Sequence, residues 1–212
     1  MSVRFDLHLH TRQYSRCSRI DPDRLLRQAE KVGLDGLVIT EHHYQWHDDE
    51  LQDLVARSGV PGLVVLAGFE YTSSQGDILI YGLEPEHAKQ FKPGGAPESV
   101  VDAVRRLGGV CIAAHPTRAG MGFDERIYSM PLAAVEVCSV NLKQHERRLA
   151  LRVAQAMKTP PVACSDAHDL KNVGRFVTEF NRPIQTRADL RLALAEGAFG
   201  LSQSVPTGTS TQ

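Results

Sequence analysis

The sequence predicts an α/β fold built on a mostly parallel sheet, and three observations predict it. Short apolar strand-like runs alternate with amphipathic helix-like runs along the chain. The connections between them are short. The polar residues that follow the apolar runs collect at the carboxyl ends of the strands. Alternation alone allows a closed barrel or an open doubly wound sheet of about seven strand–helix steps. Polar residues gathered at one set of strand ends favour the barrel, because α/β barrels build their sites at that face.

The elements follow in order. Arg4 to His10 reads as a strand, placing Asp6, His8 and His10 on one face and Phe5, Leu7 and Leu9 on the other. Pro22 to Val32 reads as a helix, with Asp21 as N-cap, proline at its first position and Gly33 as its stop. Gly36 to Thr40 is a short buried strand, and Asp48 to Arg57 a helix ended near Gly59. Leu63 to Tyr71 and Ile78 to Leu83 are strands joined by a turn at Ser73 to Gly76. Pro97 to Leu107 is a helix and Val110 to Ala114 an apolar strand. Met121 to Met130 reads as a loop with one helical turn.

Ala133 to Ser139 is a strand, and Gln144 to Met157 a helix with Leu149, Val153 and Met157 on one stripe. Pro161 to Ser165 is a strand, Asp189 to Glu196 the last helix, and Phe199 to Ser202 a short edge strand. One domain is expected over residues 1–203, with residues 204–212 as a mobile tail.

Composition narrows the function classes. Hydrophobic residues make up 42% and charged residues 23% of the 212-residue chain, as in ordinary globular proteins. The net charge of −1 gives no reason to expect a nucleic-acid duplex or an anionic membrane as partner. No run of eighteen apolar residues predicts a membrane span, and no signal-peptide pattern opens the chain. Cys17, Cys111, Cys138 and Cys164 form no C-x-x-C pair; the expectation is reduced thiols and a cytoplasmic location.

The chemistry lies at the strand ends. His8 and His10 close the first strand; Glu41, His42 and His43 follow the second. Glu70 ends the third, His115 follows the Val110–Ala114 run, Glu136 lies in Val135-Glu136-Val137, and Asp166 and His168 follow Val162 to Ser165. Each has an ordinary structural reading as a surface pair, a helix cap or a strand end. All of those readings would have to hold together, so a shared metal site is the better expectation. Imidazole and carboxylate without thiolate pairs suit Zn, Mn, Fe or Ni better than Mg or Ca. More than five such ligands imply two or three ions with shared carboxylates, the usual machinery for in-line displacement at phosphorus.

The ordered motifs Asp6-Leu7-His8-Leu9-His10-Thr11, Ile39-Thr40-Glu41-His42, Gly68-Phe69-Glu70, Ala114-His115-Pro116 and Ser165-Asp166-Ala167-His168 resemble those of the PHP superfamily, named after polymerase and histidinol phosphatase. The resemblance runs from residue 3 to about residue 175. It implies a distorted seven-stranded TIM-like barrel, (β/α)7, holding two to three divalent Mn, Zn or Fe ions. It further implies His8 and His10 on one ion completed by Asp166, Glu70 bridging to a second ion that also takes His115, and His42 and His168 on a third. Asp6 is expected to orient the histidine pair.

Two departures stand out. Asp77 occupies the place where the family commonly offers a histidine, and an aspartate can ligate there. Arg16 stands where the family often has a third-ion ligand; Glu41, Cys17 or a water would have to fill that gap. Arg16 and Arg118, with Lys143, are the expected phosphate binders.

The reading that follows is a metal-dependent phosphoesterase acting on a small phosphate ester, with His168 or His42 as proton donor to the leaving group if the third ion is absent. The alternatives are an amide or lactone hydrolase on the same centre, and a non-catalytic scaffold subunit. Met121, Phe123 and Tyr128 are candidates for the pocket wall.

Overall fold

The computed structural model describes residues 2–202; the expected tail at 204–212 lies outside them. The strands are β1 (Val3–Asp6), β2 (Gly36–His42), β3 (Val64–Thr72), β4 (Asp77–Tyr81), β5 (Val110–Ala114), β6 (Ala134–Cys138), β7 (Pro161–Ala163), β8 (Thr178–Phe180) and β9 (Phe199–Leu201). The helices are α1 (Pro22–Lys31), α2 (Asp48–Ser58), α3 (Pro85–Ala88), α4 (Pro97–Arg106), α5 (Gln144–Met157) and α6 (Arg187–Glu196). A single turn of 3-10 helix at Glu125–Ser129 is the predicted turn in that loop.

All nine strands lie in one sheet of order β7-β6-β5-β4-β3-β2-β1-β8-β9. The β1–β2, β2–β3, β5–β6 and β6–β7 pairs are parallel. β4 runs antiparallel to both neighbours, as the tight β3–β4 turn requires. Beyond β1 and β7 the chain closes the ring. The Asp166 amide donates to the His8 carbonyl at 2.7 Å, the His10 amide donates to the Ala167 carbonyl at 3.1 Å, and Leu9 bridges Ala167 in parallel. The result is a nearly closed, distorted TIM-like barrel with β8 and β9 as an antiparallel flap on β1.

The strands are buried on both faces, so they read as continuous apolar runs. Val38 packs with Phe5, Leu79, Tyr81 and Ile112, while Leu37 and Ile39 pack with Leu25, Leu26 and Leu54 of α1 and α2. Gly68 sits against β4: a Cβ there would lie 2.5 Å from the Ile80 carbonyl oxygen. The Asp21 side chain caps α1 by accepting from the amides of Asp23 and Arg24.

Several expectations need correcting. Regular β1 stops at Asp6, because beyond it the chain bends to pair with the segment after β7. Strict alternation therefore fails: Phe5 and Leu7 join one apolar cluster and Leu9 another. In α5 the buried stripe is Glu146, Ala150 and Ala154, and Leu149 is 44% exposed. Small residues face β6 because that helix packs close to the sheet. Sequence reasoning passed over α3 and β8, four and three residues long, which are too short to show a period. No helix among the described residues is long and apolar enough to cross a membrane.

Candidate metal centre

The topology brings the ligand candidates to one rim. His8, His10, His42, Glu70, His115, Asp166 and His168 lie at or beyond the carboxyl ends of parallel strands. Asp77 opens β4, and because β4 is antiparallel its first residue lies at that same rim, paired with Ala114 and Thr72. His8, His10, Glu70, Asp77, His115 and Asp166 are buried, whereas His42 and His168 are half-buried. The backbone is forced there: His43, His115 and Asp166 adopt positive φ of 57°, 27° and 50°, a region costly for residues with a Cβ and often found at functional sites.

Their atoms converge. Nε2 of His8 and Nε2 of His10 are 3.1 Å apart. Oε2 of Glu70 lies 3.4 Å from the first, 3.2 Å from the second and 3.2 Å from Nδ1 of His42. Oδ1 of Asp166 is 3.5 Å from both Nε2 atoms. On the other side, Nε2 of His115 is 3.1 Å from Oε1 of Glu70, 4.0 Å from Oδ2 of Asp77 and 3.9 Å from Oδ2 of Asp166.

The donor set fits metal ions. Ligand atoms about 2.0–2.2 Å from one ion sit roughly 3.0–3.5 Å apart around it, the spacing found between the imidazoles of His8 and His10 and the carboxylates of Glu70 and Asp166, and between Glu70 and both His42 and His115. Glu136 accepts at Nδ1 of His8, 3.2 Å away, which fixes the ring proton on that nitrogen and leaves the Nε2 lone pair facing the centre. Lone pairs and carboxylate oxygens facing one another need a cation between them. Among the described residues, four groups of three have ligand atoms within coordinating reach: His8, His10, Glu70; His8, His115, Asp166; Glu70, Asp77, His115; and His10, His42, His168.

Protons supply the positive charge when ions do not. Burial alone would lower the pKa of His8, but Asp166, Glu70 and Glu136 outweigh it and hold His8 well above the usual imidazole range. The same contest raises His115 to about 9, chiefly through Glu70. Burial would push the Glu70 carboxyl up, yet His8, His10 and His115 hold it well below its ordinary value. Asp166 is likewise held down, by His8 and His10. Burial dominates for His42, which falls to about 4, and it also lowers His168.

A surrounding set of residues holds these ligands. Glu136 also accepts the His115 amide through Oε2 at 2.6 Å. Asn141 donates Nδ2 to Oδ2 of Asp166 at 2.6 Å. Asp6 accepts the amides of Ser165 at 2.9 Å and Gly174 at 3.0 Å, tying β1 to the segment that carries Asp166. Ser15 accepts the His42 amide at 3.1 Å. Glu41 does not fill the place left by Arg16: its carboxylate accepts from the Thr11 amide, the Thr11 hydroxyl and Nε1 of Trp46. Sequence reasoning left the role of Glu136 open and missed Asn141 as a partner of Asp166, since a short-range motif carries no sign of a contact 25 residues away.

A cleft of about 330 Å³ opens over the centre, lined by Cys17, His42, Glu70, Asp77, His115, Arg118, Met121, Asn141, Asp166 and His168. Of the expected phosphate binders only Arg118 lines it. Arg16 and Lys143 are exposed outside it, Lys143 at the start of α5 with its amide on Glu146. Phe123 packs over Gly76 instead, and Tyr128 is 53% exposed to solvent.

Residues 144–199 match the family model described as PHP-associated. An uncharacterised protein of Methanocaldococcus jannaschii is 28% identical over 146 residues, covering 64% of this chain and 81% of that protein. A two-domain protein of Bacteroides vulgatus containing a predicted PHP-like metal-dependent phosphoesterase superposes with a TM-score of 0.72 at 15% identity, over 94% of this chain and 64% of that one. The lesion-specific endonuclease of Pyrococcus furiosus superposes with a TM-score of 0.72 at 15% identity, over 95% of this chain and 58% of that one. At such identities the superpositions speak for the fold.

Proposed function

We propose that this chain, which belongs to the PHP superfamily, is a metal-dependent phosphoesterase acting on a small phosphate ester. The observation that carries the reading is the convergence of His8, His10, Glu70 and Asp166 at 3.1–3.5 Å beneath a cleft that Arg118 lines. The residues that would hold ions are His8, His10, Glu70, Asp77, His115 and Asp166, with His42 and His168 at the outer edge. The chemistry supplied by manganese, zinc or iron in such a site is polarisation of a phosphoryl oxygen and a bound water of lowered pKa.

The chain's own residues do the rest. Arg118 offers a planar, permanently charged donor to the non-reacting phosphoryl oxygens. Asn141 and Glu136 hold Asp166, His8 and His115 in their positions. Burial lowers the pKa of His42 and His168, which suits them as ligands of the third ion better than as proton donors to the leaving group, the role expected of them only if that ion is absent. A cleft of about 330 Å³ is at the small end for ligand sites, in keeping with a small substrate. Arg118 also favours phosphorus over a neutral amide or lactone carbonyl, which needs no cation at the rim.

The test is elemental analysis of the purified protein combined with turnover of a chromogenic phosphate monoester. Bound transition metal and turnover, both lost in Glu70→Ala, are expected. A metal-free active protein, or equal turnover by Glu70→Ala, would overturn the reading.

A further inference from the structure

The centre is chemically lopsided. One wall is rich in nitrogen: His10 lies between His42 and His168, with ring centroids at 4.5 and 4.6 Å, and these three imidazoles are bordered by Oε2 of Glu70, 3.2 Å from His10 and His42, and Oδ1 of Asp166, 3.5 Å from His10 and His168. The opposite wall is oxygen: Glu70, Asp77 and His115 form a cluster with a single imidazole, and Oδ2 of Asp166 reaches within 3.9 Å of that imidazole. Asp77 is 3% exposed and lies 4.0 Å from Nε2 of His115, so its carboxylate is aimed inward.

Donor chemistry separates ions. Imidazole suits zinc, copper and iron, whereas carboxylate oxygen suits manganese and magnesium, so exchanging imidazole for carboxylate narrows the intrinsic advantage of zinc over manganese. We propose that the two ends of this centre select different ions. The Glu70–Asp77–His115 position favours manganese relative to the His10–His42–His168 position, which favours zinc, and Asp77 sets the difference. This inference rests on the metal-dependent reading above but not on the reaction.

The test reads metal, not turnover. Metal-stripped protein is equilibrated with manganese in stepwise increasing excess over buffered zinc, which offsets the higher intrinsic affinity of zinc, freed of loose ions, and examined by elemental analysis and by the electron paramagnetic resonance of bound manganese. Mixed occupancy is expected. Asp77→His should lower the manganese-to-zinc ratio about tenfold or more, as expected when an oxygen ligand becomes nitrogen. His168→Ala should lose zinc while the manganese signal stays.

Uniform occupancy by one metal in the unmodified protein would overturn the inference, as would an unchanged ratio in Asp77→His. The unmodified protein tests the proposal by itself should that variant fail to fold. Mixed occupancy without hydrolysis of any phosphate ester would sink the phosphoesterase reading and leave this one standing. Uniform occupancy with hydrolysis would do the reverse.

Discussion

Glu136 lies 3.2 Å from Nδ1 of His8 through one carboxylate oxygen and accepts the His115 amide through the other. One buried side chain thus orients ligands on two strands. Glu136→Gln can satisfy only one of these donors with its single carbonyl oxygen, and its amide group then faces the other donor. Metal affinity should fall about 10–100-fold, the usual cost of losing a partner of a ligand histidine. Chelator competition measures it; affinity within twofold of the unmodified protein would remove Glu136 from this role.

Arg118→Ala should raise KM for a phosphate ester about 10–100-fold, matching the roughly 1.5–3 kcal/mol of a hydrogen bond to a charged group. Metal content should hold. Arg16→Ala and Lys143→Ala should change KM less than twofold, because neither side chain lines the cleft. Steady-state kinetics on the three variants decide between them.

Metal uptake should release protons. His115, raised to about 9, and His8, held well above its usual range, carry protons near pH 7 in the ion-free protein, and a ligand imidazole must be neutral. Affinity should therefore rise from pH 7 to 9, with net proton release measurable in weakly buffered solution. The stability of the ion-free protein runs the other way. A histidine raised from 6.5 to about 9 contributes its stabilisation below 6.5 and loses it as pH climbs through 9. Melting temperature should fall over that window without metal; no release on loading would refute the assignment.

Gly68→Ala should destabilise the fold by about 1–3 kcal/mol or more, since the added methyl meets the Ile80 carbonyl oxygen across the β3–β4 pair. Chemical denaturation gives the figure, and an unchanged midpoint would mean that the two strands can separate freely.

Cys17 should be the single fast-reacting thiol in the native protein. Cys17 is exposed whereas Cys111, Cys138 and Cys164 are buried; burial raises the pKa of all four thiols, so access sets the order of reaction. Titration with a chromogenic disulfide should find one equivalent at once and the others only on unfolding.

Much of this was legible in the sequence because ligands at strand ends follow local rules. An apolar run followed by His, Glu or Asp marks a strand and its exit together, which located His8, His10, Glu70, His115, Asp166 and His168. Asp77 was harder: it begins its strand, and only the reversed direction of β4 brings it to the same rim. The side chains of Arg16 and Arg118 are both arginines in loops after ligand motifs, and the sequence cannot say which turns inward. The hold of Glu136 on His8 spans 128 residues, and no short-range pattern encodes it. The strand β8 is specified by its pairing with β1 more than by its own three residues.

The hydrogen bonds from Asp166 to His8 and from His10 to Ala167 close the barrel and, in the same stroke, bring the first ligands of the chain against the last. Translation makes His8 and His10 early and Asp166 late. A growing chain therefore presents His8 and His10 long before the carboxylate of Asp166 joins them. The complete candidate centre comes into being only once residue 168 is free to fold, so its assembly belongs to the closed barrel and waits on contacts between its first strand and the segment after β7.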